Sequence, residues 1–408
     1  MLDWKLIRLG DICVTNKNSY SSKDNWKFVN YLDTGSITEN KITELQYINI
    51  ETDKMPSRAR RKVIKNSILY STVRPNQLHY GIIKGPVDNL LVSTGFTVID
   101  VDTNKAIPEF IYYLLTQNNI TEQLQAIAEQ SVSTYPSIKS SDIEDLEFKL
   151  PNFIIQNKIV SILDTIDSKI CQNEKINNNL EQQAQAIFKS WFVDFEPFGG
   201  VQPSEMQFIP LQELCKVVTK GTTPTTLGKS FTSSGINFIK AESILDNHSI
   251  DSSKFAFIDE ETNALLKRSI IKANDIVFTI AGTLGRFAMV DNSVLPANTN
   301  QAVAIIRPDE TKVTPAYLYS FFIGNWHNEY YSKRIQQAVQ ANLSLTTIKS
   351  LPIAVLNNTT MSNYDKLVSP LFALMKNNEE ENRRLSKLRD ALLPKLMSGE
   401  LDVSDISL

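Results

Sequence analysis

Residues 157–191, NKIVSILDTIDSKICQNEKINNNLEQQAQAIFKSW, place Ile159, Leu163, Ile166, Ile170, Asn173, Asn177, Leu180, Ala184, Ile187 and Trp191 at alternating steps of four and three. That spacing is the inner seam of a long helix that pairs with another helix. Leu367, Leu371, Leu374, Asn378, Glu381, Leu385, Leu388 and Leu392 repeat the pattern, each 208 positions after a counterpart in the first stretch. The polar seam residues decide how the two helices meet. A parallel pairing at the repeat offset sets Ile170 against Asn378 and Asn177 against Leu385, leaving polar groups without partners. An antiparallel pairing matches every layer: Leu163 with Leu392, Ile166 with Leu388, Ile170 with Leu385, Asn173 with Glu381, Asn177 with Asn378 and Leu180 with Leu374. Asn173, Asn177, Asn378 and Glu381 then form a central polar layer that sets register and direction at some cost in stability.

The rest of the chain repeats in the same order. Ile7-Arg8-Leu9-Gly10-Asp11-Ile12-Cys13 answers to Ile209-Pro210-Leu211-Gln212-Glu213-Leu214-Cys215, Pro108-Glu109-Phe110 to Pro315-Ala316-Tyr317, and Ile138-Lys139-Ser140 to Ile348-Lys349-Ser350. A period of about 200 residues far exceeds any solenoid unit, so a domain plus a helix has been duplicated. Residues 67–73 and 275–280, bounded by turn formers and rich in β-branched side chains, read as strands. Pro108 and Pro315 stand at first-turn positions of helices, where the missing amide hydrogen costs nothing. The prolines and glycines between Glu196 and Pro203 close the first long helix. The expected organisation is α/β (α+β type): two duplicated mixed α/β domains, 1–150 and 199–356, separated by two long helical spacers, 151–198 and 357–408. The spacers form an antiparallel coiled coil with pseudo-two-fold symmetry.

With 408 residues, 42% of them hydrophobic and 21% charged, the chain has material for two or three ordinary cores. A net charge of −3 excludes a protein that coats nucleic acid through bulk charge and leaves only local basic patches for that purpose. Cys13, Cys171 and Cys215 are too few and too scattered for a disulfide framework, which fits a cytoplasmic protein with free thiols. No basic start followed by an apolar run and no 18-residue apolar window appears, so neither secretion nor a membrane span is expected.

Catalytic constellations are missing from the pattern. Residues 221–230 resemble a phosphate-binding loop, but six residues separate Gly221 from Gly228 where four are needed, and Pro224 removes a backbone donor. His79, His248 and His327 have no metal-ligand spacing. What remains are polar and basic loops placed in both halves. In the first half they carry Lys17, Asn18, Tyr20, Arg58, Arg60, Arg61, Lys62, Arg74, Asn76, Gln77, Ser133, Thr134 and Tyr135. In the second they carry Lys220, Thr222, Thr223, Thr225, Lys229, Lys267, Arg268, Arg286, Asn300, Gln301, Asn342 and Ser344. Arg and Lys contact guanine or hold phosphate and Asn and Gln read adenine, so these residue types suit a nucleic-acid edge. The run from Arg58 to Lys62, four basic residues in five, is the densest of them.

The duplication, the two seams, Phe188-Lys189-Ser190-Trp191-Phe192-Val193-Asp194-Phe195-Glu196-Pro197 after the first, and Leu393-Pro394-Lys395-Leu396-Met397-Ser398-Gly399-Glu400-Leu401 after the second together resemble the specificity (S) subunit of type I restriction-modification systems. Lys220-Gly221-Thr222-Thr223-Pro224-Thr225 and the stretch from Ile276 to Gly285 extend the resemblance, which covers essentially the whole chain. It implies two target recognition domains, each reading one half of a split double-stranded DNA sequence, held by an antiparallel helix pair that docks two methylation subunits and restriction subunits. It further implies that S-adenosylmethionine, ATP and Mg2+ are used by those partners, that none is bound by this chain, and that this chain is not itself an enzyme. A 35-residue helix is about 50 Å long, against roughly 34–36 Å between half-sites one duplex turn apart, so the helices are long enough to act as a ruler. The alternative is a structural coiled-coil protein with two heads for ligands other than DNA.

Overall fold

The computed structural model describes residues 4–131, 135–324 and 343–406. Two helices dominate it, Phe153–Phe192 and Asn358–Ser398. The chain divides into two compact units, Met1–Cys171 with Asn382–Leu408, and Gln172–Glu381, so each unit owns one head and one half of each long helix.

In the first unit a mixed sheet runs in the order Gln46–Asn49, Phe28–Leu32, Leu90–Ser93, Ala59–Lys62. Its central pair is parallel, with Leu32 opposite Val92, and both flanks are antiparallel. A second, fully antiparallel sheet follows the order Cys13–Thr15, Phe96–Val101, Ser67–Ser71, Tyr80–Ile83. All five residues of Ser67–Ser71 are buried, as its continuous apolar and β-branched character demands of a central strand. Leu32, Ile37, Leu69, Val92, Phe96 and Val98 form one core of this head. Another joins Leu9, Tyr70, Phe110 and Leu115 to Ile159 and Leu163 of the first long helix and Leu396 and Met397 of the second. The helix Pro108–Leu115 starts on its proline as expected.

The second unit repeats the plan with different trimmings. Cys215–Lys220, Val303–Pro308, Ile276–Thr279 and Phe287–Met289 make the antiparallel sheet. Ala256–Ile258, Ile236–Ile239 and Ala297–Thr299 make the mixed one, again with a parallel pair, Ile239 opposite Thr299. The fourth strand of the first head is reduced here to one antiparallel bridge, Ile271 to Ala297. In both units a short antiparallel pair closes the head: Lys5–Arg8 with Glu147–Leu150, and Gln207–Pro210 with Pro352–Val355.

The long helices run antiparallel. Asn173 Nδ2 donates to Glu381 Oε2 at 2.8 Å, and Asn378 Nδ2 donates to Asn177 Oδ1 at 2.7 Å, so rising numbers on one helix meet falling numbers on the other. Asn177 Nδ2 also reaches the carbonyl of Met375 at 3.1 Å. Along the first helix the expected seam is inward, with Ile159, Leu163 and Ala184 fully buried. The second helix departs from expectation. Leu367, Leu374 and Leu388 are 45–48% exposed, while Tyr364, Val368, Phe372 and Met375 turn inward. Leu367, Leu374 and Leu388 are spaced by multiples of seven and equally exposed, and Val368, Met375 and Leu396 keep the same period inward, so the buried row is displaced by one residue without changing its repeat. From Tyr364 to Met375 the displaced row packs on a head as well as on the partner helix. In the first unit the layer expected for Leu388 is held by Arg389, whose Nη1 meets Asp167 Oδ1 at 3.2 Å.

Candidate nucleic-acid interface

In the first head the backbone knits the loop after Cys13–Thr15 to the basic strand. Tyr20 N donates to Arg60 O at 2.7 Å and Lys62 N to Asn18 O at 3.0 Å. Four basic residues in a run of five thereby take three different environments. Arg58 and Arg60 are exposed. Lys62 pairs with Asp24 and lies 5.1 Å over the Trp26 ring, which itself sits 5.2 Å from Tyr20. Hydrogen bonding to Lys62 pulls the Asp24 carboxyl below its ordinary range. Arg61 is half-buried; its Nε has no hydrogen-bond partner among the described residues, and burial lowers its pKa. Lys17 is exposed beside Asn16, whose φ is +53°.

The remaining residues of this head stand elsewhere on it. Arg74, at φ +48°, lays its guanidinium 5.0 Å over the Tyr135 ring. Asn76 N donates to Gln125 Oε1 at 3.2 Å, and Gln77 N donates to Arg74 O at 2.9 Å. Ser133 and Thr134 lie outside the described residues.

In the second head Gly221 brings the loop against the turn after Ala297–Thr299. Its amide donates to Asn300 O at 3.1 Å, and a Cβ there would stand 1.9 Å from Thr299 O. Only glycine fits so close an approach, which accounts for the glycine without any phosphate cradle. The approach gathers Thr222, Thr223, Arg268, Asn300 and Gln301. Arg268 Nη2 donates to Thr222 Oγ1 at 3.3 Å, Thr223 Oγ1 to Gln301 Oε1, and Ala302 N to Asn300 Oδ1 at 3.1 Å. Lys220, Thr225 and Lys267 are exposed. Lys229 is tied to Glu261 at 2.7 Å, and Arg286 forks onto both oxygens of Asp246 at 2.6 Å each. Ser344 caps the helix Leu345–Lys349 by accepting from Thr347 N at 3.0 Å. Asn342 lies outside the described residues.

Four residues that sequence reasoning passed over stand at the same edges: Asp33, Ser93 and Thr94 in the first head and Lys240 in the second. Tyr31 donates its hydroxyl to Asp33 Oδ1 at 2.8 Å, and Thr94 N donates to Arg58 O at 2.9 Å. Lys240 pairs with Glu242 at 2.5 Å. The signal that finds them is the duplication itself, because Asp33 and Lys240, Ser93 and Asn300, and Thr94 and Gln301 share the 207-residue offset of Pro108 and Pro315.

Burial pushes the Cys13 and Cys215 thiols up to about 12, far from the thiolate a nucleophile needs. Among the described residues no three His, Cys, Asp or Glu side chains gather to hold a metal ion, and no helix is long and apolar enough to cross a membrane.

A family model described as the type I restriction modification DNA specificity domain matches residues 1–182 and again residues 203–357. The chain belongs to that family. It is 28% identical to the HindI specificity subunit of Haemophilus influenzae over 98% of this chain and 100% of the relative. It is 26% identical to the MjaIX specificity subunit of Methanocaldococcus jannaschii over 99% and 95% of the two chains. The crystal structure of a type I restriction-modification S subunit from M. genitalium superposes with a TM-score of 0.56 at 16% identity, covering 99% of this chain and 97% of that one, which places the two in one fold. As a type I specificity subunit, the protein recognises a DNA target and is non-catalytic; the enzymatic activities of such systems belong to other subunits.

Proposed function

We propose that this specificity subunit reads a bipartite double-stranded DNA target, one half-site per head, with residues 1–150 and 199–356 as the recognition domains and residues 151–198 and 357–408 as spacers. The observation that carries the reading is the duplication: two heads of one strand plan, each offering exposed basic and amide side chains from corresponding loops. The paired helices set the unread gap between the half-sites and dock methylation and restriction subunits. Those partners use S-adenosylmethionine, ATP and Mg2+.

The test is base-resolution methylation mapping in a host with and without the chain. A split motif that appears only with the chain is expected. One heptad added to each long helix, within the matched layers, should lengthen the gap and leave both half-sites unchanged. An unchanged gap in a variant that still methylates its target would remove the ruler, and a continuous motif would remove the bipartite reading.

A further inference from the structure

Each head contains one parallel strand pair inside otherwise antiparallel sheets, and the two pairs keep the same register at the 207-residue offset. Leu32 faces Val92 in the first head, and Ile239 faces Thr299 in the second. Beyond those residues come Asp33 and Ser93 in one head and Lys240 and Asn300 in the other. Parallel strands end on the same side, so each head has a single edge where two chain ends and the next turn project together. A third segment runs antiparallel beside the pair and therefore begins at that same edge. In the first head it is Ala59–Lys62, preceded by Arg58. In the second it is the segment bridged through Ile271, which begins at Lys267 and Arg268. An exposed arginine thus marks the same edge in both heads.

Neither arginine is spent internally. Among the described residues Arg58 has no carboxylate partner and Arg268 holds only the Thr222 hydroxyl. By contrast Lys62, Lys229 and Arg286 are neutralised by Asp24, Glu261 and Asp246. Around the shared arginine the framework is constant while the neighbouring side chains differ. That combination is what two heads need if they read different half-sites from one scaffold.

We propose that these edges are the base-reading surfaces, with Arg58 and Arg268 each forking onto the O6 and N7 of a guanine in the major groove. The side chains beside them, Asp33 with Thr94 in one head and Gln301 in the other, select the adjoining base. Arginine suits the role because its rigid fork matches the two guanine acceptors, whereas lysine offers a point charge. The Thr222 contact and the tight Gly221 turn hold the Arg268 edge in place before DNA arrives. The assignment rests on the bipartite reading above and adds to it the residues that specify sequence.

The test uses the full-length chain, purified with whatever subunits accompany it, on a library of randomised duplexes. Wild type should enrich two separated half-sites. Arg58→Lys keeps the charge on an exposed side chain and should erase the preference for one guanine in one half-site, a loss of discrimination on the order of 5- to 150-fold. Arg268→Lys should do the same in the other half-site, and Arg8→Lys, at an exposed side chain paired with Asp145 on the strand Lys5–Arg8, should leave the motif intact. If Arg58→Lys or Arg268→Lys weakens binding equally on all sequences, the arginines hold phosphate and this inference falls while the bipartite reading stands. If wild type enriches no split motif, the bipartite reading itself falls.

Discussion

The two units perform one structural task, fastening a head to the long helices, and they use different chemistry to do it. In the first unit the contact adds polar ties to an apolar core that includes Ile159, Leu163, Leu396 and Met397. The Tyr113 hydroxyl donates to Asp167 Oδ2 at 2.8 Å, Asp167 accepts from Arg389, and Lys84 pairs with Asp164. In the second it is aromatic. Tyr364 is fully buried, with its ring centroid 5.0–5.6 Å from Phe192, Tyr317 and Trp191, and Phe188 completes the cluster. Burial raises the pKa of the Tyr113 and Tyr364 phenols, so neither phenol ionises near neutrality. A duplicated fold therefore keeps its strand plan and its antiparallel helices while its anchors diverge, because any interaction of sufficient strength at that junction keeps the head in place.

The contrast ranks the substitutions. Tyr364→Ala empties the middle of the aromatic cluster and should cost the second unit about 3–5 kcal/mol in urea unfolding, the usual range for a large buried aromatic ring. A loss below 1 kcal/mol would show that the cluster is not the anchor. Leu163→Ala, in the seam of the first unit, should cost about 2–5 kcal/mol, whereas the exposed Leu388 should tolerate alanine within about 0.5 kcal/mol. Equal losses at the two positions would restore the strict heptad frame to the second helix. Arg389→Ala removes a half-exposed ion pair and should cost about 1 kcal/mol, an effect that shrinks in high salt. A salt-independent loss would mean that its packing, and not its charge, holds the first head.

Much of the frame was readable before any coordinates. On the first helix the same row serves the head and the partner helix, so Ile159, Leu163 and Ala184 point where their spacing says. Matching the polarity of Asn173 with Glu381 and of Asn177 with Asn378 was enough to choose the antiparallel arrangement, because an unmatched polar layer is costly. The second seam was misread at Leu367, Leu374 and Leu388, where leucines reach solvent and a tyrosine, a methionine and an arginine go inward. Periodicity cannot tell which of two adjacent rows faces the core when the helix serves both a partner helix and a head. The recognition edges were legible only in part. The basic run at Arg58–Lys62 is visible as composition, but the separation of Lys62 into an internal ion pair and Arg58 onto a strand edge depends on partners up to 38 residues distant. Asp33 and Ser93 meet through parallel pairing of strands about 60 residues apart, a contact that no local pattern announces.

Gly221 carries one more implication. A side chain there would have to displace the backbone of Thr299 and Asn300, while Thr222 meets Arg268, and Thr223 meets Gln301, through side-chain atoms. Random mutation of this loop therefore sorts into two kinds. Changes at Gly221 distort the scaffold and are lost with it; changes at its neighbours leave the scaffold standing and alter only what it presents. A single glycine separates inheritance of the fold from freedom to acquire a new target.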